Sequence, residues 1–116
     1  FEKAISLNPK HIESRWALIE LYIQLPGIVG GSESKAIQYS NELLQLSVVD
    51  GYLSRGHIEE YFKRYESAEK QYKKAIAVSD SKTSYNKLAS LYKNKMKEPE
   101  RAKSVLEAYN NKNKSR

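Results

Sequence analysis

The chain has 116 residues, with 20 Lys and Arg against 14 Asp and Glu, so its formal net charge is +6. This length fits one domain and excludes a two-domain enzyme. The chain has no cysteine, which excludes thiolate nucleophiles, disulfides and cysteine-type zinc sites, and its two histidines offer little from which to build a metal centre.

The composition, with 40% hydrophobic and 29% charged residues, is typical of a soluble, folded, helical protein. No apolar run approaches the roughly 18 to 20 residues that a membrane-spanning helix needs. The charge is uneven, because residues 1–58 carry a net charge of −1 and residues 59–116 a net charge of +7. The chain opens with Phe1 inside an amphipathic pattern, so we expect a fragment of a longer chain.

The periodicity of apolar residues predicts helices along almost the whole chain. The predicted helices lie near residues 1–8, 10–25, 33–47, 50–62, 65–79, 82–96 and 99–111. Ser32 and Ser81 are expected as N-caps, and Pro99 suits the first turn of its helix. The stretch from Asn110 to Arg116 is expected to be polar and frayed, with residues 112–116 forming a polar tail outside the repeat domain.

Two patterns recur along these predicted helices. The first occurs as Ala68-x3-Tyr72-x2-Ala75, Ala102-x3-Leu106-x2-Tyr109, Ala36-x3-Ser40-x2-Leu43 and the opening Phe1-x2-Ala4. The second precedes three of them, as Tyr85-x2-Leu88-Ala89-x2-Tyr92, Arg15-x2-Leu18-Ile19-x2-Tyr22 and Tyr52-x2-Arg55-Gly56-x2-Glu59. Equivalent positions are 32 residues apart from Ser40 to Tyr72 and 34 from Tyr72 to Leu106. This period indicates a stack of helix pairs.

These residues resemble the tetratricopeptide repeat family, whose unit is two antiparallel helices in about 34 residues. The resemblance implies an all-α fold, a right-handed α-solenoid of antiparallel helix pairs with about 3.5 repeats. It implies a single domain over residues 1–111, with units near 1–9, 10–47, 48–80 and 81–111. Two positions depart from the family pattern, because Arg55 stands where Leu is usual and Glu59 where Tyr is usual.

The same resemblance implies a non-enzymatic module, without a cofactor, that binds a protein or peptide in a concave groove. In such a stack the first helix of each pair lines the groove, and helical spacing selects three stripes of lining residues. The stripes are Trp16, Glu20 and Ile23; Leu53, His57 and Glu60; and Asn86, Ser90 and Lys93. A groove of this kind suits an extended or helical peptide. An alternative for Trp16 is a place in the core, in a register shifted by one residue.

Other functions are less well supported by the residues. His57 and Glu60 lie one helical turn apart, as two metal ligands would, but no second ligand pair accompanies them. The basic stretch 63–103 could bind nucleic acid or an anionic membrane, although several tyrosines that could stack on bases occupy repeat core positions. A further alternative is self-association, or a spacer role in a longer array, through the ends of the repeat stack.

The glycine-rich segment from Leu25 to Glu33 lengthens one unit by about five residues relative to the family period of about 34. Its glycines could present N–H groups to an anion, but the simpler interpretation is a turn that packs Ile28 and Val29 against the repeat. Its Pro-Gly-x-x-Gly-Gly pattern is similar to loops in some bacterial repeat proteins, often exported ones. We therefore expect a bacterial periplasmic or exported protein whose leader is missing from this fragment.

Overall fold

The computed structural model describes residues 9–24 and 32–114, and these form helices joined by short turns. The helices are α1 (Pro9–Gln24), α2 (Ser32–Leu46), α3 (Val48–Tyr61), α4 (Tyr65–Val78), α5 (Lys82–Ser90), a π-helical turn (Leu91–Lys95) and α6 (Pro99–Lys114). The predicted helix 1–8 and the glycine-rich segment 25–31 lie outside the described residues. None of the helices within the described ranges is long and apolar enough to cross a membrane.

Two helices begin at a serine cap in the same position of the repeat. The Ser47 hydroxyl accepts a hydrogen bond from the N–H of Asp50 at 3.3 Å, and the Ser81 hydroxyl accepts one from the N–H of Ser84 at 3.2 Å. The prediction for Ser81 is confirmed. The Ser47 cap explains why α3 begins at Val48, two residues earlier than predicted.

Two other helix starts were predicted from single residues. Helix α6 begins at Pro99 as predicted, because proline at the first helical position lacks only an N–H that would have no partner. Helix α2 begins at Ser32, whose side chain lies outside the described ones.

The turn between α3 and α4 places a lysine in the left-handed region. Lys63 has a φ of 66°, and its N–H donates to the carbonyl of Glu60 at 3.0 Å, while the N–H of Arg64 donates to Glu59 at 2.8 Å. This pair of hydrogen bonds is a Schellman motif, in which glycine usually occupies the left-handed position. Lys97, 34 residues later, has a φ of 58°.

Consecutive helices pack against one another throughout residues 9–24 and 32–114, which confirms the all-α helical repeat architecture. The pairs are α1 with α2, α3 with α4, and α5 with α6, and α1 also contacts α3. Ala36 and Ala68 are completely buried and Ala102 nearly so, as expected for small residues where helices cross closely.

The apolar residues form two core clusters. One contains Ile19, Ile23, Ala36, Leu43 and Ile58. The other contains Leu53, Ala68, Tyr72, Ala75, Leu88, Ala89, Leu91, Tyr92 and Ala102. Trp16 packs against both clusters and so joins the first helix pair to the rest of the stack.

The C-terminal pair departs from the prediction in two places. The expected continuous helix over 82–96 changes to a π-helical turn after Ser90, where the N–H of Met96 bonds the carbonyl of Leu91 at 3.0 Å. This wider turn keeps both Leu91 and Tyr92 buried. Helix α6 also continues to Lys114, so residues 112–114, expected in a frayed tail, are helical.

Candidate functional site

Helices α1 and α3 lie side by side and bring most of the first two predicted stripes together. The indole Nε1 of Trp16 donates a hydrogen bond to Oδ1 of Asp50 at 3.0 Å, and the Trp16 and His57 rings lie 6.3 Å apart between centroids. Nε2 of His57 contacts Oε1 of Glu20. Trp16, Glu20 and His57 therefore form one continuous surface across two repeat units.

Sequence reasoning missed Asp50, which holds the indole of Trp16. Its other carboxylate oxygen, Oδ2, accepts a hydrogen bond from the Ser47 hydroxyl at 2.7 Å, so the cap of α3 also fixes this side chain. A signal for Asp50 was present in the sequence, because it stands three residues before Leu53 and extends the same stripe by one turn.

Glu60 lies at the far end of the second stripe and contacts helix α4. Its Oε1 accepts a hydrogen bond from the Tyr72 hydroxyl at 2.8 Å. Burial raises the pKa of Tyr72 well above its ordinary value, and the neighbouring Glu60 carboxylate raises it further. Tyr72 therefore stays protonated and keeps the Glu60 carboxylate in place.

Two residues predicted to line the groove are buried in the core instead. Ile23 is only 3% exposed and packs with Ile19 and Ile58, and Leu53 is 5% exposed and packs in the second core cluster. Their apolar side chains lie where neighbouring helices meet, so they support the surface from beneath.

Trp16 packs against both core clusters and remains partly exposed. Its neighbour Arg15 contacts the second helix of the pair through an ion pair with Glu42 at 3.1 Å. The indole of Trp16 is therefore anchored in the interface and open on one side.

The third stripe, Asn86, Ser90 and Lys93, lies exposed on α5 and the π-helical turn. Among the residues that the structure describes, Lys93 has no ion-pair partner, and neither does Lys95 in the same turn. The surface thus carries carboxylates on α1 and α3 and lysines on the π-helical turn.

The described residues contain no group of three or more His, Cys, Asp and Glu side chains that could hold a metal ion. His57 and Glu60, the pair with metal-ligand spacing, contact Glu20 and Tyr72. The arrangement offers hydrogen-bonding groups, charges and one aromatic face, which are suited to recognition.

Residues 49–81 match the model of the tetratricopeptide repeat family. This range covers nearly all of α3, the turn with Lys63, the whole of α4 and the cap of α5. No curated protein and no solved structure matches the chain. Over α3 and α4 the chain is therefore similar to a tetratricopeptide repeat, and these two helices lie within an array of packed helix pairs.

Proposed function

We propose that the chain is a non-catalytic module that binds a protein or peptide partner in the groove formed by α1, α3 and α5. The observation that supports this most directly is the surface made by Trp16, Glu20 and His57 across two adjacent units. The similarity of residues 49–81 to a tetratricopeptide repeat supports the same class of function, because helix-pair repeats form extended concave binding surfaces.

Trp16 is the proposed anchor for the partner. Tryptophan is enriched among the residues that dominate binding energy, and a partly buried ring can be covered by a partner at low entropic cost. The hydrogen bond from Nε1 of Trp16 to Asp50 holds the ring in one orientation before binding. Glu20, His57 and Glu60 surround this end of the groove, and Asn86, Ser90 and Lys93 provide the exposed polar end.

The test is capture of a partner from native lysate by three folded proteins at low and moderate salt. These are the wild type, a Ser90→Arg/Lys93→Glu groove variant, and a Lys70→Glu control on the exposed face of α4. We expect a protein that the wild type and the control retain at both salt concentrations and that the groove variant loses. Thermal melting checks that all three chains are folded, and calorimetry with the purified partner then measures the affinity of each.

Equal capture by all three proteins would refute the groove as the binding site of the partner. The rival function, electrostatic binding through the basic residues 63–103, predicts a different result, because neutralising phosphates makes affinity fall steeply with ionic strength. Nucleic acid that the wild type retains only at low salt, and that Lys70→Glu weakens as much as the groove variant does, would favour that rival.

Two finer expectations remain, and the first has a test of its own. Self-association through the ends of the repeat stack predicts a sedimentation coefficient that rises with protein concentration, and a constant monomer value would refute it. A bacterial exported origin stays a prediction, because the loop that motivates it lies outside the described residues.

A further inference from the structure

A small cavity lies beside the groove, where the turn after α3 approaches the π-helical turn. It has a volume of about 290 Å³ and is lined by His57, Glu60, Tyr61, Lys63, Tyr65 and Lys95. Among the described residues neither Lys63 nor Lys95 has an ion-pair partner, whereas nearby Arg64 pairs with both Glu33 and Glu59. The cavity therefore holds two lysines whose charges are not neutralised.

Glu60 is the one carboxylate among the residues that line the cavity, and it already accepts a hydrogen bond from a side chain of α4. Its Oε1 accepts the hydrogen bond from the Tyr72 hydroxyl at 2.8 Å, which holds the carboxylate towards α4 while its negative charge remains. The lining thus carries two lysine charges against one carboxylate charge, and Tyr61 and Tyr65 in the same lining each have a hydroxyl that can donate a hydrogen bond. This lining favours an anionic ligand.

Both lysines are carried by unusual backbone. Lys63 holds a φ of 66°, a conformation that costs a non-glycine residue free energy, and Lys95 ends a π-helical turn. At position 63 the Schellman motif that ends α3 enforces this conformation. A glycine at position 63 would relieve the strain but remove the charge.

We propose that this cavity receives an acidic side chain of a peptide partner, with its carboxylate held between Lys63 and Lys95. The inference rests on the proposed function, because His57 and Glu60 belong to both the groove and the cavity. A peptide that passes His57 along the groove brings its next residues to Lys63. The charge of the lining selects Asp or Glu at that position of the peptide.

The probe is a fluorescein-labelled oligoglutamate peptide, with oligoglutamine as the neutral comparison, measured by fluorescence anisotropy on the full chain. We expect Lys63→Gln/Lys95→Gln to weaken oligoglutamate binding about tenfold, since each partly exposed charge pair contributes modestly. The matched control, Lys70→Gln/Lys103→Gln, removes the same charge from exposed positions on α4 and α6 and should change binding less than about twofold. Equal weakening by both variants would overturn the cavity as the site.

Lys63→Gly separates binding from folding. It relieves the left-handed strain, so the melting temperature should rise while the affinity for oligoglutamate falls. Unchanged affinity in this variant would contradict the proposal. So would tighter binding of an oligodeoxythymidine strand that Lys63→Gln/Lys95→Gln abolishes, since it would assign the cavity to nucleic acid.

The failure of this inference can be told apart from the failure of the groove. If Lys63→Gln/Lys95→Gln binds oligoglutamate as the wild type does, while Ser90→Arg/Lys93→Glu loses the captured partner, the groove stands and the cavity is refuted. If only the cavity variant loses that partner, the groove is refuted, and with it the path along the groove that brings the peptide to Lys63.

Discussion

Gly56 of α3 lies against the ring of Tyr72 of α4, so closely that a β-carbon on Gly56 would come within 2.4 Å of Cε1 of Tyr72. Tyr72 is completely buried, and its hydroxyl is fixed by Glu60, so the ring has little room to move. The crossing of the two helices therefore depends on the absence of a side chain at position 56.

Gly56→Ala should consequently destabilise the protein, although alanine is the better helix former. Overpacking costs about 1 to 3 kcal/mol, which exceeds the helix propensity gain of up to about 1 kcal/mol. Urea unfolding measures the free energy of unfolding of the wild type and of Gly56→Ala. Adding Tyr72→Leu removes the ring, so the loss from Gly56→Ala should be smaller in that background. An equal loss in both backgrounds would show that the ring is not the cause.

Leu88→Ala should cost about 2 to 5 kcal/mol, because the side chain is 3% exposed and its removal leaves a cavity in the core. Leu106→Ala is the matched control, since Leu106 is 39% exposed, and it should cost less than about 1 kcal/mol. Chemical denaturation of both variants checks this. Similar losses at the two positions would contradict the arrangement of α5 and α6.

Ala68→Leu should cost about 1 to 3 kcal/mol, because Ala68 is completely buried where α4 meets its neighbours. Ala77→Leu makes the same change at an exposed position of the same helix, and we expect it to be within about 0.5 kcal/mol of the wild type. Thermal melting distinguishes the two. A stable Ala68→Leu protein would mean that the repeat register is misplaced.

Lys97→Gly should stabilise the protein by up to about 1 kcal/mol, since Lys97 has a φ of 58° and glycine adopts this conformation without steric cost. Lys70→Gly, at an exposed site within α4, should instead destabilise it by about 1 kcal/mol. The opposite signs make the comparison decisive. A loss of stability in Lys97→Gly would show that the turn does not hold this conformation in solution.

The Glu69 carboxylate gives a pH-dependent contribution to stability. Burial alone would raise the pKa of Glu69, but the hydrogen bond from Tyr92 and the charges of Lys73 and Arg101 lower it below its ordinary value of 4.5. A carboxyl with a lowered pKa in the folded state contributes stability above its unfolded pKa and loses it as the pH falls through its folded value.

Glu69→Gln should accordingly be less stable than the wild type at neutral pH, and the difference should shrink as the pH falls below about 4. Glutamine still accepts the hydrogen bond from Tyr92, so this variant isolates the charge. Glu107→Gln, on the exposed face of α6, serves as the control and should show no such convergence. Urea unfolding across this pH range measures the free energy of unfolding of both variants. A stability difference between Glu69→Gln and the wild type that does not change with pH would contradict the lowered pKa of Glu69.

The sequence by itself determined the helices, their pairing into repeats and the small residues where helices cross. Helical periodicity, serine caps and proline starts are encoded within a few neighbouring residues, so Ser81, Ala68 and Pro99 could be placed without a structure. The helix faces that carry Trp16 and His57 were predictable in the same way, because the face of a helix follows from residue spacing.

Only the tertiary structure decided which of those residues remain accessible and what they contact. Ile23 and Leu53 are buried because neighbouring helices cover them. The contacts of Trp16 with Asp50 and of Glu20 with His57 join residues 34 and 37 positions apart, so they depend on how α1 and α3 are placed against each other. Local spacing fixes the face of a helix, but the rotation and crossing of its neighbours fix how much of that face stays open.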